Sequence, residues 1–166
     1  MPELPPDDSL QQLVFRLSRQ QLLKRRQQRL TQAATLCPQT APRETKLSPS
    51  QQQGLAYEEA ALEFLQQRGL HLLCRNLKSP FGEIDLVMRD QSILVWVEVR
   101  ARQHARYGGA GASINAAKQQ RLRQTAALWL DFCTHHYFAD QLPACRFDVV
   151  LFEGQEPPQW IKSAFV

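Results

Sequence analysis

Four acidic side chains stand on faces or within segments that are otherwise strongly apolar. Around residues 51–68 the apolar residues Leu55, Ala61, Leu62 and Leu65 recur at helical spacing, and Glu58 shares their face while Glu59 and Glu63 fall to one side. In Gly82-Glu-Ile-Asp85, Glu83 and Asp85 alternate with Ile84, Leu86 and Met88. In Val97-Glu-Val-Arg100, Glu98 and Arg100 share a face opposite Val95, Val97 and Val99. An unpaired charge in so apolar a strand is costly, and carboxylates set close together repel and raise one another's pKa. A divalent cation relieves both. Mg²⁺ or Mn²⁺ suits such a site, because Mg²⁺ is held by one or two carboxylates together with water and substrate phosphate oxygens. For any single acid, plain solvent exposure is an equal alternative, and Glu83 beside Gly82 can be turn decoration. The joint placement favours a shared ion.

A hairpin must bring Asp85 and Glu98 together. Reading Arg89-Asp90-Gln91-Ser92 as the turn pairs Met88 with Ile93, opposes Glu83 to Glu98 and Asp85 to Trp96, and sets Asp85 diagonal to Glu98 on one face. Arg100 points to the same side, where it can hold a scissile phosphate or the attacking water.

The wider pattern supplies the other elements. Ser50-Gln-Gln-Gln53 is a capping box for a helix over about 51–68, closed by Gly69. Strands are expected at 70–77, 83–88 and 93–100, with Ser79-Pro80-Phe81-Gly82 turning the chain between the first two. A glycine-rich loop at 107–113 leads into a helix over about 114–137, whose stripe includes Ile114, Ala117, Leu122, Trp129 and Phe132. Strands at 145–152 and 160–166 close the chain. The order α-β-β-β-α-β-(β) gives an α/β fold, a central mixed sheet flanked by helices: the hairpin strands pair antiparallel and the long helix makes a crossover. Lys118 lies on the inward stripe of that helix and either reaches the acids or snorkels past the core. Gly108, Gly109 and Gly111 serve either a close phosphate approach or a flexible connection. Asp148, beside Arg146, reads as a structural ion pair.

Composition bounds the rest. The chain has 166 residues, 43% apolar and 22% charged, which suits one globular domain and excludes a disordered or fibrous chain. Residues 1–53 carry eight Lys/Arg against four Asp/Glu and residues 54–166 twelve of each, so the net charge of +4 belongs to the N-terminal third. Within the neutral remainder, Arg100, Arg102, Arg106, Lys118, Arg121 and Arg123 face only Glu98 over residues 98–123, a local excess suited to phosphate. Residues 1–49 hold six of the ten prolines, many glutamines and no glycine. They read as an N-terminal extension, an amphipathic basic helix followed by a linker, ahead of a domain over 50–166. No run is long enough for a membrane span and the N-terminus is acidic, so a cytoplasmic protein is expected. Cys37, Cys74, Cys133 and Cys145 form no paired framework, and the spacing of Cys133, His135, His136 and Cys145 fits no common zinc site.

With these residues in view, the stretch 54–166 resembles the YraN family, small bacterial proteins assigned to the restriction-endonuclease-like superfamily. The marks are Gly54-x-x-Tyr57-Glu58, Arg75-Asn76, Gly82-Glu-Ile-Asp-Leu86, Val97-Glu-Val-Arg-Ala-Arg102, Tyr107-Gly108, Lys118, Arg121-Leu122, Arg146-Phe-Asp-Val-Val150 and Ile161-Lys-Ser-Ala-Phe165. The resemblance implies a restriction-endonuclease-like core, similar to archaeal Holliday-junction resolvases, that binds metal and cuts a phosphodiester. It places Glu58, Asp85 and Glu98 on the metal positions, with the carbonyl of Val99 as a further ligand. Arg100 falls where the superfamily carries lysine; arginine stays protonated and cannot be tuned toward a base, though it can stabilise phosphate charge. Lys118 offers a substitute.

The reading is therefore a Mg²⁺- or Mn²⁺-dependent nuclease acting on DNA, selecting shape rather than sequence, with Arg100, Arg102, Arg106, Lys118 and Arg121 meeting nucleic acid. Two rivals stand beside it: a DNA-binding module of the same fold that cuts weakly or not at all, and a scaffold whose basic N-terminal helix docks a partner. A homodimer is allowed but not specified.

Overall fold

The computed structural model describes Lys24 and residues 48–102, 114–154 and 156–165. Helix α1 (Pro49–Gln66) opens on a capping box two residues earlier than Ser50 and Gln53 suggest. Ser48 is the N-cap, its Oγ accepting from the Gln51 amide while Gln51 Oε1 accepts from the Ser48 amide at 2.9 Å. Pro49, with its fixed φ and absent N–H, suits the first helical position and moves the start there. Gly69, at φ +88°, ends the turn, and the Leu70 amide reaches back to the Leu65 carbonyl.

Five strands follow α1: β1 (His71–Ser79), β2 (Gly82–Asp90), β3 (Ile93–Arg102), then, after helix α2 (Ala116–Tyr137), β4 (Ala144–Glu153) and β5 (Gln159–Phe165). They form one sheet in the order β1-β2-β3-β4-β5, antiparallel except where β3 and β4 run parallel across the α2 crossover. The expected mixed sheet with flanking helices and the expected element order are both present. Apart from Lys24, Ser48 and Pro49, the amphipathic helix and linker assigned to 1–49 fall outside the described residues, as does the glycine-rich loop; Pro49, assigned to the linker, opens α1.

Each face of the sheet buries a separate core. Ala61, Leu62 and Leu65 of α1 pack on Leu86, Met88, Val95, Val97, Val150 and Phe152. On the other face Leu122, Ala126, Trp129 and Phe132 of α2 pack on Leu77, Ile84, Val87, Leu94, Trp96 and Val149. Two members of the expected stripes are misplaced: Leu55 is exposed on α1, and Ala117 is exposed on α2. Ile114 is buried but precedes α2, which Asn115 caps by accepting from the Lys118 amide at 2.9 Å.

The hairpin register differs from expectation. Asp90 pairs with Ile93, leaving Gln91 and Ser92 as a two-residue turn with Gln91 at φ +53°. The shift is two residues, so the faces survive while the opposition changes. Arg89 and Asp90 look like turn residues, yet both are held by tertiary contacts. Arg89 Nη1 donates to the Tyr137 carbonyl, and Asp90 Oδ2 accepts from Arg146 Nη2 at 2.8 Å.

Candidate active site

The ladder between β2 and β3 runs from Asp90–Ile93 to Leu86–Val97 and is paired no further. Continuing it by one pair sets Asp85 opposite Glu98 rather than diagonal to it. There the strict alternation of β2 also skips. Ile84 belongs to the α2 core and Leu86, two residues on, to the α1 core, so Asp85 sits at the point where the strand changes its facing. A side chain then bridges the strands where the backbone no longer does, since Asp85 Oδ2 accepts the Val99 amide at 2.7 Å. Half-buried Val99 remains on β3 and pairs with Val150 of β4.

The acids are buried to different depths. Glu98 is only 3% exposed and Asp85 9%, while Glu58 is half-buried and Glu83 exposed. Burial, then repulsion from Glu98, lifts the Asp85 carboxyl to about 7, against the favourable Val99 amide bond. Burial, then repulsion from Asp85 and Glu83, lifts Glu58 to about 7 as well. Glu98 is raised by burial, in opposition to the pull of Lys118 and Arg100. Asp85 is thus the middle member, coupled to Glu58 from α1 on one side and to Glu98 of β3 on the other.

Glu98 is the acid of the three that forms ion pairs. Lys118 Nζ lies 3.0 Å from Glu98 Oε1, and the exposed Arg100 reaches the same oxygen only at 3.8 Å. Lys118 therefore takes the inward of its two readings, one turn before Leu122 on the buried face of α2. Glu98 Oε2 is buried and has no hydrogen-bond partner. Half-buried Arg102 pairs in register with Glu153, and exposed Arg121 lines a pocket with Lys118, Phe81 and Glu83. Arg106 lies outside the described residues.

The donors suit a small hard cation. All are carboxylate oxygens, with no thiolate or imidazole among them, and the orphaned Glu98 Oε2 lacks the partner that a buried carboxylate oxygen requires. Among the described residues no group of three or more His, Cys, Asp or Glu side chains is placed so that it could hold a metal ion. The Lys118 ammonium holds the other Glu98 oxygen, and the mutual repulsion of the acids keeps them from closing unaided.

Two residues with a bearing on the site are given no role by the sequence pattern. Asn76, at φ +51°, hydrogen-bonds the Glu58 carboxylate, and Arg75 forms a two-bond fork with Glu59 while its charge also reaches Glu58. Glu59 is thus exposed but not idle. An asparagine at the end of an apolar run reads only as a weak strand residue. The histidines and cysteines of α2 and β4 serve elsewhere: His135 pairs with Asp140, His136 stacks on Phe132, Cys133 is in the core and Cys145 is exposed. Asp148 forms the expected ion pair with Arg146, whose Nε lies 3.1 Å from each carboxylate oxygen, and also accepts from Trp160 Nε1 and the Ser163 amide.

Among the described residues, no helix is long and apolar enough to cross a membrane. Residues 57–152 match the model of the uncharacterised protein family UPF0102. The UPF0102 protein of Bordetella parapertussis is 53% identical over 118 residues, covering 71% of this chain and 66% of the relative. That of Bordetella petrii is 46% identical over 151 residues, covering 90% of this chain and 91% of its own. The UPF0102 protein YraN of Escherichia coli is 46% identical over 116 residues, 70% of this chain and 86% of that one. The matched span runs from the start of the Glu58 turn through the whole of β1 to β3 and α2, and the chain belongs to the UPF0102 family.

Proposed function

We propose that this chain is a divalent-metal-dependent nuclease that hydrolyses DNA phosphodiester bonds, selecting DNA structure rather than base sequence, on a restriction-endonuclease-like core in the bacterial cytoplasm. One observation carries the reading. Asp85 and Glu98, from adjoining strands, are both buried at the frayed end of the β2–β3 ladder, and Glu98 Oε2 has no partner. Such an arrangement is unfavourable in its charged form unless a cation completes it, the alternative being that a carboxyl keeps its proton.

Asp85 and Glu98 would hold Mg²⁺ or Mn²⁺, with Glu58 and the Val99 carbonyl as further donors. When bound, such an ion supplies Lewis acidity toward a phosphate oxygen and lowers the pKa of a coordinated water. The chain's own cations then have separate roles. Arg100, exposed beside Glu98 and always protonated, can hold a phosphate oxygen and stabilise developing charge, but it is no base. Lys118 neutralises Glu98 from the inward face of α2, and Arg121, one helical turn on, meets the phosphate chain.

A second reading rests on the same two residues. With Lys118 already bonded to Glu98 and arginine in place of a tunable lysine at position 100, the fold is also suited to binding DNA without cutting it. Incubating the purified full chain with forked, gapped and four-way DNA in Mn²⁺ separates them. Cleavage that disappears in Asp85→Ala and Glu98→Gln is the expected result. Salt-sensitive binding with no cleavage by the unaltered protein would overturn the nuclease and leave the binding module.

A further inference from the structure

The β1–β2 turn displays an aromatic ring beside the acids. Phe81 is 43% exposed, although it sits on a turn held by several hydrogen bonds. Ser79 Oγ accepts the Phe81 amide at 3.0 Å, donates to the Gly82 carbonyl at 3.1 Å, and pairs with Thr125 Oγ1 of α2 at 2.7 Å. Trp129 Nε1, also from α2, donates to the Lys78 carbonyl at 3.0 Å. The turn is therefore fixed to the helix that carries Lys118, and the ring is presented rather than left loose.

Behind it lies a pocket of about 90 Å³, lined by Phe81, Gly82, Glu83, Lys118, Arg121 and Leu122. Its chemistry is divided. Phe81 and Leu122 give an apolar face, Lys118 and Arg121 give two cations along one side of α2, and Glu83 gives an acceptor on the strand side. A planar, partly polar ring joined to an anion fits this division: the ring against Phe81, an exocyclic amino group toward Glu83, and the phosphate toward Lys118 and Arg121. Glu83 would repel a phosphate placed the other way round. Lys118 also touches Glu98, so the pocket adjoins the acids.

We propose that Phe81 and this pocket form a subsite for an unpaired nucleobase, so that the DNA bound here carries a single-stranded or unstacked nucleotide next to the phosphate at the acids. The subsite rests on the reading of the Asp85–Glu98 region as a phosphodiester site. Within a duplex both faces of a base are covered by its neighbours. Away from duplex ends, an unpaired base is what offers a face to Phe81, and aromatic stacking of this kind tolerates any base.

The test measures binding by the full chain in EDTA, where no cleavage occurs, using a labelled single-stranded oligonucleotide, a gapped duplex and a blunt duplex. Phe81→Ala should weaken binding to the first two by roughly 5- to 150-fold, the range of one lost base stack, and leave the blunt duplex unchanged. Phe81→Trp should restore that affinity and quench a 2-aminopurine in the single strand. Equal loss on all three DNAs, no loss on any, or no single-strand binding by the unaltered protein would overturn the subsite. The nuclease reading fails separately. A protein that shows the Phe81 dependence in EDTA but never cuts in Mn²⁺ keeps the subsite. One that cuts through Asp85 yet ignores Phe81→Ala loses only the subsite.

Discussion

Asp85 concentrates the electrostatic conflict of the molecule in one side chain. Its carboxyl, raised from an ordinary 3.8 to about 7 by burial and by Glu98, keeps its proton more tightly in the folded protein than in the unfolded chain. Folding therefore takes up a proton between those two values, and this group's contribution to stability falls as pH rises through that window, being flat below and above it. Glu58, raised to about 7, adds a slope of the same sign. Asp85→Asn should flatten the fall and raise the melting temperature above about pH 7, where the carboxylate is otherwise ionised. Thermal melts of both proteins across the window check this, and a steeper fall in the variant would refute the assignment. Glu58, Asp85 and Glu98 were legible in the sequence because a charge inside an apolar period is a visible violation. Asn76 and Phe81 were not: a left-handed φ and an exposed ring on a turn leave no mark in the alternation of apolar and polar residues.

At the scale of elements, the strands and helices followed from periodicity, whereas their exact pairing depended on partners distant in sequence. Arg89 and Asp90 have turn chemistry, and what keeps them in strand β2 is Tyr137 at the end of α2 and Arg146 on β4. Local composition carries no sign of either. The helix start was misplaced for a simpler reason, since both Ser48 and Ser50 precede a glutamine by three residues and Pro49 favours the earlier one. Asp148 ties β4 to β5 through its side chain. It is fully buried and takes bonds from Arg146, Trp160 and the Ser163 amide. Asp148→Ala leaves those donors unmet and should cost about 3 kcal/mol, the lower end for a broken buried pair because Asp90 still holds Arg146. Denaturant titration would read this as a lower midpoint with an unchanged slope.

For the whole molecule, charge placement matters more than its total. Residues 54–166 are neutral overall, yet Arg100, Lys118 and Arg121 gather near the acids of β2 and β3. Under the proposed function, a polyanion at the neutral domain would be drawn to this one region of it. In the full chain, Arg121→Ala should make the slope of log affinity against log salt shallower by roughly 0.9, the value of one phosphate contact. A salt titration of DNA binding measures it, and an unchanged slope would remove Arg121 from the contact. The same architecture has a mechanical side. Past Val97, β3 loses its ladder with β2 but stays joined to β4 as far as Arg102, so the backbone of the half-strand bearing Glu98, Val99 and Arg100 is laddered on one side, with the Asp85 carboxylate and Lys118 as side-chain ties on the other. Val149, Val150 and Leu151 of β4 act as its fulcrum. A change of bulk there, beneath the residues that pair with Glu98, Val99 and Arg100, would tilt Glu98 and Arg100 together as one lever arm.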